Sequence, residues 1–106
     1  MNYYELAKEL KEAGFPQDKI LFVFADYADD GHPSIQHRSQ LKPNYGQTAS
    51  PTLSELIDAC GGYFSSLNRG IDYWFANGVK GVHGFNERGS THKEAVARLW
   101  LALQDN

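Results

Sequence analysis

Residues Thr91–Leu103 read THKEAVARLWLAL, and the reading of this stretch decides how the rest of the chain must fold. Thr91 suits a helix N-cap, and Glu94, three residues on, has the capping-box spacing to reach back to the Thr91 backbone. Val96, Leu99, Trp100 and Leu103 then fall at i, i+3, i+4 and i+7, a single apolar stripe along one helix. A helix of that kind needs a surface to lie on. The segment before it reads as a small sheet that supplies one.

Three β-rich runs make up that segment: Tyr63 to Leu67, Ile71 to Ala76 and Val79 to Phe85. Asn68-Arg69-Gly70 separates the first two, and Asn77-Gly78 the last two. An Asn-Gly pair between such runs predicts a hairpin turned at 77–78, because both central positions of a type I′ turn need positive φ. In the middle run Ile71, Tyr73 and Phe75 share one face while Trp74 and Ala76 share the other. Both faces are apolar, so this strand reads as central, with the last helix over one side. Upstream, Thr52 opens another helix: Pro51 precedes it, Glu55 completes a capping box, and Leu53, Leu56, Ile57 and Cys60 form its apolar stripe. Gly61-Gly62 ends it. Residues 51–106 thus read as a helix–three-stranded antiparallel meander–helix core.

The N-terminal half reads as a helix with a strand or hairpin extension. Asn2 and Glu5 have capping-box spacing, and Tyr3, Leu6, Ala7 and Leu10 form a stripe. Gly14 suits the left-handed C′ position, Phe15 can fold back onto Leu10, and Pro16 forbids continuation. Lys8 and Lys11 lie toward the helix C-terminus, where cations suit the dipole. Ile20 to Ala25 (ILFVFA) is an apolar run that reads as a strand buried on both faces or against the helix and a partner. Asp29-Asp30-Gly31 predicts a turn, and His32 to Gln40 a weak returning strand, confined by Pro33 to an edge or a strand start. Gln40 to Ser50 reads as an irregular polar loop. At 106 residues the expectation is one α+β domain, residues 1–50 forming the extension and 51–106 the core.

The totals narrow the function classes. Charged residues make up 22% of the chain and the net charge is −3, which argues against generic nucleic-acid binding, where a basic excess is usual. Aromatic residues at 13% exceed the needs of a few short helices, so some should pave a sheet face or a partner surface. The single cysteine, Cys60, excludes an internal disulfide and a multi-cysteine zinc site. With no leader-like start and no long apolar run, a reducing, cytoplasmic location away from membranes is expected.

Catalytic, metal and cofactor constellations fare poorly. Asp26, Asp29, Asp30 and His32 suggest a metal loop, but an EF-hand frame from Asp26 fails at Ala28 and at His37, where a bidentate Glu is required. The bland reading is a solvated acidic turn. His32 and His37 lack the partners of a zinc site. Cys60 paired with His83 or His92 would make a nucleophile, yet it falls on the buried phase of its helix, where a free Cys acts as a small hydrophobe. Gly78, Gly81, Gly84 and Gly89 have neither a GxGxxG-to-helix context nor a P-loop lysine. Gly89-Ser90-Thr91 leads into a helix N-terminus that could hold an anion, but a loop glycine followed by a cap explains it as well. No catalytic residue, metal or cofactor is expected.

The segments PTLSELIDACGG and GSTHKEAVARLWLAL, with Trp74-Phe75-Ala76 between them and LAKELKEAGFPQ at the start, resemble a family of small phage and prophage proteins. The likeness covers about half of the chain, Ile20 to Ser50 lying outside it. It implies a genetic setting in bacterial mobile elements rather than a mechanism. A looser similarity links Gly89, Thr91, Glu94 and Ala95 to the antitoxin half of HicAB toxin–antitoxin pairs. Those antitoxins usually continue into a DNA-binding segment, whereas this chain stops at Asn106. The helix–strands–helix order is also similar to double-stranded-RNA-binding domains, which would carry a lysine cluster where His92-Lys93-Glu94 stands. These two likenesses are at the level of fold alone.

The residues best placed to meet a partner are Trp74, Lys80, Arg88 and Lys93. Arg69, Lys80, Arg88, Lys93 and Arg98 stand against Asp72, Glu87 and Glu94 in the C-terminal part. Glu5, Glu9, Glu12, Asp18, Asp26, Asp29 and Asp30 gather in the N-terminal third. Such polarity can steer a protein partner or a second copy of the chain; it is equally the pattern of a solvated surface. The expected function is that of a small non-enzymatic binding protein of phage or prophage type acting on a host or phage protein. An antitoxin-like or RNA-associated module is the alternative, and an enzyme the least favoured. The meander leaves sheet edges that invite a homodimer.

Overall fold

Local side-chain and backbone chemistry sets the helix ends at Gly14, Thr52 and Thr91, and the described strands fall into two separate sheets. A computed structural model describes residues 3–17, 20, 22–26, 34–37 and 46–104. It divides into two compact units, residues 1–51 and 52–106. The class is α+β, as the sequence implies.

In the first unit, α1 (Tyr3–Glu12) buries Leu6, Ala7 and Leu10 along its apolar stripe. The Tyr3 hydroxyl donates to the Pro51 carbonyl at 2.7 Å. The helix stops in a full Schellman arrangement: Phe15 N–H donates to Leu10 O at 2.9 Å, Gly14 N–H donates to Lys11 O at 3.1 Å, and Gly14 takes φ +94°. Phe15 is buried, as its fold-back onto the helix requires. The Asn2 cap lies outside the described residues.

Strand β1 (Phe22–Asp26) is the centre of an antiparallel sheet ordered β2-β1-β3. Val23 and Phe24 point to opposite faces and are both buried, while Phe22 stays exposed against the His37 ring, 5.5 Å between centroids. Strand β2 (Ser34–His37) lies at an edge, as anticipated for the return. The Asp29-Asp30-Gly31 turn and Pro33 lie outside the described residues. The end of the anticipated loop is instead a strand, β3 (Gly46–Ala49), antiparallel to β1 with Val23 opposite Ala49. Its sequence, Gly-Gln-Thr-Ala, is poor in the usual strand formers, Thr48 alone being β-branched. Long-range bonds hold it: Ala49 N–H donates to Gln17 Oε1 at 2.8 Å and Ser50 N–H to Phe22 O at 2.8 Å.

In the second unit, α2 (Leu53–Cys60) has the anticipated capping box in full. Thr52 N–H donates to Glu55 Oε1 at 2.8 Å, and Glu55 N–H to Thr52 Oγ1 at 3.3 Å. A 3-10 turn, Gly61–Tyr63, follows. Strands β4 (Phe64–Arg69), β5 (Trp74–Lys80) and β6 (His83–Gly89) form an antiparallel meander with β5 in the middle. Helix α3 (His92–Gln104) covers one face.

The second hairpin does not turn at Asn77-Gly78. Those residues sit within the ladder, opposite Asn86 and Phe85, and the chain reverses at Gly81-Val82 between the paired Lys80 and His83. Gly81 supplies the positive φ, +65°, at the first of the two turn positions. Packing overrides the local signal at Gly78: a Cβ there would stand 2.8 Å from Tyr63 O and 3.1 Å from Leu99 Cδ1, so the bare glycine lets α3 settle onto the sheet. Ile71, assigned to the middle strand by its pattern, instead lies in the preceding turn and is 95% exposed.

The Thr91 cap forms, with Glu94 N–H donating to Thr91 Oγ1 at 3.1 Å. The Glu94 carboxylate, however, reaches one residue further back than a capping box predicts. It accepts from Ser90 N–H at 3.1 Å and from Ser90 Oγ at 2.6 Å. Val96, Leu99, Trp100 and Leu103 are all buried, together with Ala95 and Ala97. The small alanines bring α3 close to the sheet, where Ala76 is fully buried.

Candidate functional site

The pleat of β5 sorts its side chains into two surfaces of different character. Trp74, Ala76, Gly78 and Lys80 alternate with Phe75, Asn77 and Val79, and the first set faces α3. Trp74 is half-buried at the start of α3, its ring edge-on to His92 at 5.6 Å, with the Arg69 guanidinium 5.7 Å away. At the far end, Lys80 Nζ donates to Leu103 O at 3.1 Å, meeting a terminal carbonyl of the helix with a cation. Strand β5 and helix α3 therefore run in the same direction. His92 Nδ1 is buried without a hydrogen-bond partner among the described residues.

Below Lys80 lies a cleft of about 580 Å³ lined by Cys60, Tyr63, Lys80, Trp100 and Gln104 among others. The ammonium of Lys80 stands 5.4 Å from the Tyr63 ring centre. Cys60 is buried, and burial pushes its thiol up to about 11, leaving it protonated and a poor nucleophile at neutral pH.

Within the second unit, no described element covers the opposite face of the sheet. Residues directly paired across strands share a face, so Ser66, Asn68, Phe75, Asn77, Val79, Asn86 and Arg88 all lie here. A chain of amides crosses the strands. Asn68 Nδ2 and Asn77 Nδ2 both donate to Ser66 Oγ, at 3.0 and 3.1 Å, and Asn86 Nδ2 donates to Asn77 Oδ1. Beside this polar band sits an aromatic cluster: the Tyr73 and Phe75 rings are 6.0 Å apart, and the Arg88 guanidinium lies 4.8 Å over Tyr73. Val79 is 52% exposed in the same plane.

The four residues singled out from sequence do not meet in one patch. Arg88 is on the open face. Trp74 and Lys80 are on the helix-covered face, at opposite ends of β5. Lys93 lies on the first turn of α3. Of the neighbouring charges, Arg98 bonds Glu94 Oε1 at 2.7 Å, and Glu5, Glu9 and Glu12 lie exposed on α1 along with Lys8 and Lys11. Asp18, Asp29 and Asp30 lie outside the described residues. The roles of Asn77 and Asn86 were hidden, because an Asn in a strand-like run reads first as a turn former.

Comparison with protein-family models, with curated proteins and with solved structures finds no match to this chain. Among the described residues, no helix is long and apolar enough to cross a membrane.

Proposed function

We propose that this chain is a small non-enzymatic binding protein of phage or prophage type, acting through contacts of its C-terminal sheet with a host or phage protein. The observation that carries the reading is the open face of the β4–β6 sheet. It joins Tyr73, Phe75, Arg88 and a half-exposed Val79 to a band of side-chain amides. Interfaces favour this mixture of aromatic and arginine anchors rimmed by polar groups. The genetic setting rests on the resemblance of the two capped helices and the Trp74-Phe75-Ala76 strand to phage and prophage proteins.

The test is affinity capture of tagged protein from a bacterial lysate, with and without nuclease. A partner that survives nuclease, is lost with Phe75→Glu or Arg88→Glu and persists with Lys93→Glu supports the reading. Capture indifferent to the open-face changes defeats it.

One observation favours a second reading, an RNA-associated or antitoxin-like module. Arg88 stacked beside Tyr73 and Phe75 resembles the aromatic and cationic platforms on which single-stranded bases stack. Lys80 and Arg88 point to opposite faces of the sheet, so a strand bound on the open face would weaken with Arg88→Gln and not with Lys80→Gln. Nuclease-sensitive capture with that asymmetry would replace the first reading. A catalytic role has the least support, given the protonated, buried Cys60.

A further inference from the structure

The two edges of the C-terminal sheet are built differently. Strand β4 is interrupted by a register shift between Phe64 and Ser66, a bulge of the kind that spoils an edge for further pairing. Strand β6 has no such protection. Its ladder with β5 runs without a break from Gly89 to His83, and it contains neither proline nor lysine. His83, Gly84, Asn86 and Arg88 are exposed along it. A regular, exposed edge offers a row of backbone donors and acceptors to another strand.

From this edge we infer that the partner strand is β6 of a second copy, paired antiparallel about a two-fold axis through Phe85. An axis perpendicular to the sheet keeps the helix-covered faces on one side, so residues of like parity must oppose each other. Among the registers that remain, centring on His83 or Gly84 runs the pairing into the Gly81-Val82 turn, and centring on Glu87 or Arg88 sets like charges face to face. Centring on Asn86 sets Phe85 against Glu87. Centring on Phe85 places the two Phe85 rings together and His83 opposite Glu87 twice over, while Gly84 faces Asn86. An aromatic pair flanked by two imidazole–carboxylate pairs is self-complementary, and such cross-strand pairs are the unit of sheet stabilisation. The product is one continuous sheet with both open faces on the same side. The pairing is independent of what the open face binds, since it uses the backbone edge and the helix-side residues of β6.

Sedimentation of the full chain from about 1 µM to about 1 mM tests it, with circular dichroism confirming that each variant is folded. The wild type is expected to dimerise. His83→Glu, which sets a second carboxylate against Glu87 at both symmetric positions, should weaken the dimer by about tenfold. The double variant His83→Glu/Glu87→Lys should restore it. A wild-type chain that stays monomeric throughout overturns the inference, and so does a dimer unmoved by His83→Glu.

Discussion

The Glu94 carboxylate is tied down from two sides. It accepts both bonds from Ser90 and pairs with Arg98 while being 9% exposed. Burial alone would raise its pKa, but the Ser90 bonds and the Arg98 charge outweigh that and hold it below its ordinary value. A lowered native pKa means stability that is complete above the ordinary carboxylate value and drains away as the pH falls through the native one. Glu94→Gln should therefore flatten the acid limb of the stability curve. Glu94→Ala should cost about 2 kcal/mol at neutral pH, read by urea unfolding. The same assay separates two glycines of β6. A Cβ at Gly89 would collide with the Ala95 nitrogen and the Glu94 backbone, whereas one at Gly84 meets nothing within 4 Å. Gly89→Ala should cost about 3 kcal/mol and Gly84→Ala well under about 1 kcal/mol.

Among the elements, two ends governed by neighbours in sequence were legible, while a strand and a turn governed by distant partners were not. The Thr52–Glu55 box and the Gly14–Phe15 stop depend on groups within a few residues, and both formed as their spacing implies. Strand β3 depends on β1 and on Gln17, 32 residues before Ala49, so nothing in Gly46–Ala49 announces it. The second hairpin failed for a related reason: Leu99, remote in sequence, settles over Gly78 and carries the strand past the Asn-Gly pair. That displacement also scattered the candidate site. Moving the turn to Gly81-Val82 places Lys80 on the opposite face from Arg88, a consequence of pleat parity that composition cannot reveal. Because Gly81 has open space around its missing Cβ, Gly81→Ala isolates the cost of φ +65° and should destabilise by about 1 kcal/mol in the same urea assay.

The whole molecule divides at Pro51, and the second unit contains its own helix caps and its own core of Leu56, Cys60, Ala76, Val96, Leu99, Trp100 and Leu103. Residues 52–106 expressed alone should fold cooperatively, though with the small margin usual at this length. Thermal unfolding followed by tryptophan fluorescence, to which buried Trp100 contributes, would show it. A broad, non-cooperative signal would mean that residues 52–106 do not suffice to fold.

The amide band on the open face has a chemical consequence as well. Asn-Gly is the dipeptide most prone to deamidation, because an unhindered glycine nitrogen can attack the asparagine carbonyl and close a succinimide. At Asn77-Gly78 the extended backbone and the bonds to Ser66 and Asn86 hold the side chain away from that geometry. Native protein should therefore age slowly at this position, and unfolded protein quickly. Isoaspartate at residue 77, followed by mass spectrometry over storage, would serve as a clock for how often β5 opens.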